Sequence, residues 1–595
     1  MHCMRITIAI FASAICTAAQ AAPAAGSSVG HEAARPAAVS ATLQDAPQQD
    51  ALLERINSLI ASGRKLLDAQ QFGRALENFS EAHSLAGESF ETYVWILRTW
   101  LDQGRINDVL NKIDYRLEKG HESADLDYLI GMAFHRRAKD HIKNGIPDQT
   151  TNMSFTDAVN FLGKATEANA PRFYDAFGAL AESAWFTQEN DLAQVAALRA
   201  VELSPDDSKV QYLLAQVRFS RFVIAEQAQE GSAAANSLWA EALADFERTR
   251  AMLLPPKSDE EAARLGRIGI QIGYAHLWRD QVPQAIEATA EAISWDPLQD
   301  YPTLQGTFEL ADFRATLESG HARFQKRFGA EDKRESMLLW WLGFARFSTG
   351  LGGPAEEGAP PLPLNKDDMR ASEEAFQQAL AHEPSFSNSW YYIGLARYYR
   401  DDYQGLLDAF HTVWDIEPSN LVGMLTTDRE LNLRIMDYVL GWCHENKNEI
   451  EPAFLCELRV GFFPESWEYW DNLGYFARNA GASLSERNGG KPTEEDAQEA
   501  TRLWERAVAA YAKAYEMAGD HPHLLNDMAV VLHYYLKRNL DDVRTMYEGA
   551  RDQANAVLAA GGLNEADLEW ASKALRDSEA NLRVMDGLEE PDLSR

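Results

Sequence analysis

The sequence predicts an all-α chain of stacked antiparallel helix hairpins, and three observations predict it. From Leu52 onward apolar residues recur at i, i+3, i+4 and i+7 in blocks of roughly ten to fifteen residues, the period of a helix with one buried face. Gly, Asn, Asp and Pro break these blocks at short intervals, as turns between helices require, and strand-like alternation is absent. Between Pro384 and Pro418, a span of 34 residues, Trp390, Ile393, Gly394, Ala396, Tyr403 and Phe410 stand in an order that returns along most of the chain.

Taken in order, residues 1–21 open with Arg5, run through Ile6, Ile8, Ile10 and Phe11, and end on Ala19-Gln20-Ala21. This is the pattern of a secretory signal peptide cleaved after Ala21. The apolar run is shorter than the ~20 residues a spanning helix needs, and Ile15 before Cys16 departs from the small residue a lipoprotein signal carries there. Residues 22–50 are rich in Ala, Pro and Ser, with too little apolar surface to offset the entropy of ordering, and read as a disordered linker.

Residues 51–299 read as an N-terminal array. It opens with Leu59, Gly63, Phe72, Ala75, Phe79 and Ala82, and continues through a weaker unit at Tyr93 and Ile96. Phe177, Leu180, Ala181, Ala193, Ala197, Ala200 and Pro205 repeat the order, as do Ile272, Gly273, Ala285, Ala292 and Pro297. The small residues mark where two helices approach too closely for a longer side chain, and large ones fill the gaps beside them. Each closing proline ends a second helix, because its ring cannot continue the hydrogen-bond ladder.

Residues 300–330 fit the pattern badly and are expected to form an irregular break, as does the stretch 421–435. Residues 331–560 resume as a C-terminal array with insertions, and residues 561–595 as a capping helix, about Glu565 to Met585, with a tail. Four interruptions, at 350–368, 481–494, about 138–154 and about 222–236, fall at the turn inside a hairpin and are expected to project together as loops from one edge.

These residues resemble the tetratricopeptide repeat family, whose 34-residue unit has a large residue, a leucine and a small residue in its first helix. An alanine, an aromatic, an alanine and a closing proline follow in its second; Ala197 departs from the aromatic. The resemblance implies a right-handed superhelix, an α-solenoid of about eleven hairpins, and a binding scaffold in place of an enzyme. It also implies which face is concave. In that register Tyr274, Trp278, Trp340, Phe344, Phe347, Tyr391, Tyr398 and Tyr475 line the groove, and Arg346 and Arg397 occupy equivalent places beside it, suited to a ligand carboxylate. The Lys/Asn clamp of chaperone-binding members is not recognisable.

Composition narrows the function further. A formal net charge of −34 with no Lys/Arg cluster argues against nucleic acid and anionic lipid, and no mature segment is long and apolar enough for membrane insertion. No H-E-x-x-H, G-x-S-x-G or G-x-x-x-x-G-K-[ST] pattern occurs, and Gly489-Gly490-Lys491-Pro492 lacks the glycine spacing of a phosphate cradle. No cofactor or metal is implied. His521 and His523 flank Pro522 and read as solvent-exposed turn residues. The repeats leave no stretch of ~100 residues for a catalytic domain. The expectation is an exported, periplasmic or extracellular, non-enzymatic scaffold that binds a peptide or protein partner in its groove. A glycan- or nutrient-binding envelope protein on the same helices is the alternative. Cys443 and Cys456, on either side of Asn446-Lys447-Asn448, could form one disulfide.

Overall fold

The computed structural model describes residues 46–87, 89–117, 123–145, 148–168, 175–352, 363–519, 521–561 and 565–588. The signal peptide and most of the linker therefore lie outside the described residues. No strand occurs among those described, and the chain separates into two compact units, residues 1–334 and 335–595.

The N-terminal unit is a succession of helix pairs: α1 (Ala46–Asp68) with α2 (Phe72–Leu85), α3 (Phe90–Asp102) with α4 (Ile106–Leu117), and α5 (Ala124–Lys143) with α6 (Asp148–Glu167). Then follow α7 (Ala176–Phe186) with α8 (Asn190–Leu203), α9 (Ser208–Ala228) with α10 (Ala233–Leu253), and α11 (Asp259–Leu277) with α12 (Val282–Trp295). The stretch expected to be irregular holds a short α13 (Tyr301–Thr307) and a long α14 (Leu310–Phe328), which returns along α12 with Gly320 seated against Ile293. The first helix begins at Ala46, so the last residues assigned to the linker are helical.

The C-terminal unit pairs α15 (Ser336–Gly350) with α16 (Lys366–His382) and α17 (Asn388–Tyr398) with α18 (Tyr403–Ile416). An extra helix, α19 (Pro418–Thr427), precedes the pair α20 (Arg429–Glu445) and α21 (Glu451–Phe462). The long pair α22 (Trp467–Gly490) and α23 (Glu494–Ala518) follows, then α24 (Pro522–Val530), which runs into a π-helical turn (Val531–Leu536) and packs on α25 (Leu540–Ala560) and α26 (Glu565–Met585).

The small-against-large pairing sets the hairpins. A Cβ placed on Gly63 would lie 2.5 Å from the ring of Phe79, and one on Gly394 would lie 2.9 Å from that of Phe410. Gly343 meets Phe376 at 3.0 Å and Gly474 meets Tyr511 at 2.7 Å in the same way. Separations under 3.0 Å are ones real side chains essentially never adopt, and that at Gly343 is tighter than nearly all they do, so each first helix approaches its partner closely because the glycine leaves the ring its space. Phe79, Phe376, Phe410 and Tyr511 are accordingly all buried.

The structure corrects the reading of the insertions. Only that at 350–368 separates two helices by a long connection, part of which, 353–362, lies outside the described residues. The other three lengthen both helices of a hairpin, giving α5 with α6, α9 with α10, and α22 with α23. Their sequences stay amphipathic: Phe222, Val223 and Ala235 form a buried cluster of their own with Trp239 beside it. Gly481, expected to open a loop, is an interior helix position packed on the indole of Trp504, and the backbone leaves helical geometry only from Arg487, through Asn488, Gly489 and Gly490, to the start of α23 at Glu494.

A buried ionic cluster ties α3, α5 and the start of α7. Arg98 donates to Asp102 (2.6 Å), Asp175 (2.5 Å) and the Tyr128 hydroxyl (2.8 Å), Tyr128 donates to Asp175 (2.8 Å), and Arg136 completes the set on Asp102. Burial works to raise the Asp175 carboxyl, but Arg98 outweighs it and holds the group below its usual range.

Candidate functional site

The residues singled out in the sequence divide between the two units, Tyr274 and Trp278 in the first and the others in the second. Tyr274 is half-buried beside Thr307, and burial raises its phenol. Trp278 meets Phe222 edge-on at 5.9 Å, and its indole nitrogen has no hydrogen-bond partner. In the second unit Trp340 stacks on Phe344 (5.8 Å, 3°), and Tyr392 meets both edge-on. These rings are half-buried and belong to a cluster with Phe376 and Ile393, while Phe347 is buried outright.

Besides that of Phe347, two groove assignments are corrected. Tyr391 is buried: it stacks on Phe410 at 5.9 Å and donates to Asn432 Oδ1 at 3.3 Å, and burial pushes its phenol up to about 12. The cause is the irregular stretch 421–435, where Leu421 and Leu425 of α19 enter the same core and cover a position that would otherwise face outward. Arg397 is committed within the fold. Its Nε donates to Glu373 Oε1 at 2.8 Å and its Nη1 to the carbonyl of Gly405 at 3.1 Å, while Arg400 takes the other Glu373 oxygen. Arg346 donates to the carbonyl of Ala371 at 3.3 Å. The two arginines anchor their hairpins.

The structure gathers instead a patch that the sequence reading took in only through Tyr398. Tyr398 meets Tyr403 at 5.8 Å and Tyr438 at 6.2 Å, and Tyr403 packs on Tyr438 (5.3 Å) and Trp442 (5.7 Å). Tyr438 is 57 % exposed. Tyr398 and Tyr403 bracket the turn between α17 and α18, so the patch stands at the hairpin-turn edge, where Lys366 reaches Asp401 and Asp401 accepts from the Tyr403 hydroxyl at 3.2 Å. Hydrogen bonding to Tyr438 and burial together push the Tyr403 phenol up. Tyr438 and Trp442 share one face of α20 at i and i+4, a signal present in the sequence but hidden by the irregular stretch before it.

Tyr475 is 45 % exposed, with the Arg478 guanidinium 5.1 Å over its ring. His523 is not a solvent-exposed turn residue: it lies within α24, its side chain 14 % exposed, against Trp570 of α26 at 4.6 Å. His521 stacks on Trp467 at 4.4 Å. Cys443 and Cys456 are both buried as free thiols. They face opposite ways, Cys443 into the cluster with Val439 and Leu455 and Cys456 into that with Leu473 and Ala477, so the bridge left open by their spacing is not made. Burial pushes the two thiols up, to about 11 and about 12.

The chain matches no protein-family model and no curated protein. Among solved structures it is similar to a thermophilic TPR protein of Thermus thermophilus, at 17% identity over 37% of this chain and 99% of that one, with a TM-score of 0.26. It is also similar to yeast Tom70, at 11% identity over 77% and 98% with a TM-score of 0.20. A third is YrrB, a TPR protein with an unusual peptide-binding site, at 14% identity over 45% and 97% with a TM-score of 0.21. Likeness at these values carries no argument, and the all-α fold of stacked helix hairpins is read from the chain's own helices and their glycine-to-ring packing.

Proposed function

We propose that the protein is a non-enzymatic, exported scaffold that holds an extended peptide or protein segment against the edge formed by Tyr398, Tyr403, Tyr438 and Trp442. The observation that carries this reading is a contiguous Tyr/Trp cluster at one edge of a helical framework, with Tyr438 exposed and Tyr398, Tyr403 and Trp442 half-buried beside it. Such side chains bury large area at low entropic cost and dominate the energetics of protein interfaces. Export rests on the pattern of residues 1–21. No helix among the described residues is long and apolar enough to cross a membrane.

A photo-crosslinking residue placed at Tyr438 in the native envelope tests the reading, with Val195, 67 % exposed in the other unit, as the control position. A defined adduct at Tyr438, lost in a Tyr398→Ala/Trp442→Ala background, is the expected result. Equal labelling at both positions would overturn it. The same rings would stack on sugars, so retention on an immobilised oligosaccharide in place of a protein adduct would favour the glycan-binding alternative.

A further inference from the structure

In the C-terminal unit, polar side chains from three helices converge and are only partly matched to one another. Asp471, Tyr475 and Arg478 recur at i, i+4 and i+7 on α22, His523 and Asp527 at i and i+4 on α24, and Tyr511 reaches in from α23 across Gly474. Tyr511 is wholly buried, yet its hydroxyl has no hydrogen-bond partner among the described residues, and charges that act on it include those of Asp527, Arg478 and Asp471. His523 Nε2 is likewise buried without a hydrogen bond; Asp471 Oδ2 stands 3.7 Å away, outside hydrogen-bond reach. Asp527 accepts only from the adjacent Asn526 (3.1 Å), and Arg478 Nε donates only to the adjacent Asn479 (3.1 Å). Arg478 and Asp527 lie in each other's field, but neither forms an ion pair among the described residues.

Leaving a buried polar group without a partner is destabilising, and native folds rarely tolerate several in one place unless something else satisfies them. The groups are sorted by chemistry. Arg478 and the Tyr511 hydroxyl offer donors, Asp471 and Asp527 offer acceptors, and His523 stands beside the carboxylates. The cluster stands near the surface, with Tyr475 and Trp570 at its edge 45 % and 46 % exposed. We propose that this cluster binds a free amino acid as its zwitterion, the carboxylate held by Arg478 and Tyr511 and the ammonium by Asp471 and Asp527. Burial raises the Asp527 carboxyl against the opposing pull of Arg478 and His523, and a cation seated beside it would draw it back down. The site shares no residue with the tyrosine edge around Tyr438 and stands whether or not that edge binds a partner.

Calorimetric titration of the full chain with the set of common L-amino acids tests the proposal. At least one should bind with measurable heat and raise Tm. Its N-acetylated form and its decarboxylated amine should each bind at least tenfold more weakly, because each lacks one of the two charges. Arg478→Met and Asp527→Asn should each lower affinity at least tenfold, while Arg538→Ala, at an exposed ion pair with Glu505, leaves it unchanged. Tyr511→Phe guards against misfolding as the explanation: it removes only an unpartnered hydroxyl, so the apo protein should melt no lower while binding weakens. No heat or Tm shift with any of the set would overturn the proposal. So would binding that is indifferent to loss of either ligand charge, or to both Arg478→Met and Asp527→Asn.

Discussion

Gly394 lies against the edge of the Phe410 ring so closely that a single methyl group on it would sit 2.9 Å from Cε1 and 3.1 Å from Leu406 Cδ1. The ring belongs to the second helix of the same hairpin and is 1 % exposed, so the contact sets how far apart α17 and α18 can stand.

Truncating that ring should be expensive. Phe410→Ala is expected to cost about 3–5 kcal/mol through lost burial and the cavity left behind, and Gly394→Ala about 1–3 kcal/mol through overpacking. Urea melts followed by circular dichroism give both values. A neutral Phe410→Ala would show that the hairpin does not depend on this contact.

Acid should weaken the N-terminal unit through Glu182. Burial works to raise this carboxyl, but His135 and Lys139, the latter at 2.7 Å and 3.0 Å, outweigh it and hold it at about 2. A depressed carboxylate contributes stability that is fully present above its unfolded value of 4.5 and is lost as pH falls through about 2. With Lys139 half exposed, the contribution is on the order of 2 kcal/mol. Glu182→Gln should therefore be destabilising at pH 7 and indistinguishable from the parent near pH 2, as measured by denaturant titration at each pH.

Removing Glu373 should show that Arg397 works within the fold. The carboxylate is shared by Arg397 and Arg400, both largely buried, and Glu373→Ala leaves two guanidinium groups without it. The expected loss is about 3 kcal/mol. An unchanged melting curve would return Arg397 to the pool of ligand-binding candidates.

The thiols should resist modification in the native state. Cys443 and Cys456 are buried, and their raised pKa values leave little thiolate at neutral pH. Peptide mapping should find neither labelled in the folded protein and both labelled after denaturation without reductant. Protection that persists after denaturation would reveal a bridge.

Export can be read directly from the mature terminus. N-terminal sequencing of protein recovered outside the cytoplasm should begin at Ala22, as the Ala19-Gln20-Ala21 pattern implies. A terminus retaining residues 1–21 would refute cleavage.

Much of the fold was legible because the small-and-large pattern is a local property. Gly394 and Phe410 are sixteen residues apart, as are Gly63 and Phe79, and a spacing of that kind survives in one dimension. What was not legible depends on partners far along the chain. Gly481 looks like the start of the loop that Gly489-Gly490-Lys491 does form, until Trp504 is seen packed on it. Arg397 and Glu373 stand on different hairpins, and nothing in the spacing of either announces the other. Tyr391 was assigned outward by its register, which held only until α19 intervened. Asp471, Arg478, His523 and Asp527 stand in plain helical stripes that show neither an aromatic platform nor metal-ligand spacing, and of this cluster only Tyr475 carries a signal in one dimension.

The glycine-to-ring contacts also have a kinetic consequence. Each closes within one hairpin, so the chain segment that must be immobilised to form it is short and the entropy lost on closure is small. A chain built this way has low contact order, can nucleate at any hairpin, and spreads order to its neighbours one at a time. Hydrogen exchange should then release amides in hairpin-sized groups of unequal protection. The long pairs α9 with α10 and α22 with α23 should open last, and the single-turn irregularities at Asp428 and at Val531–Leu536 should be where opening begins.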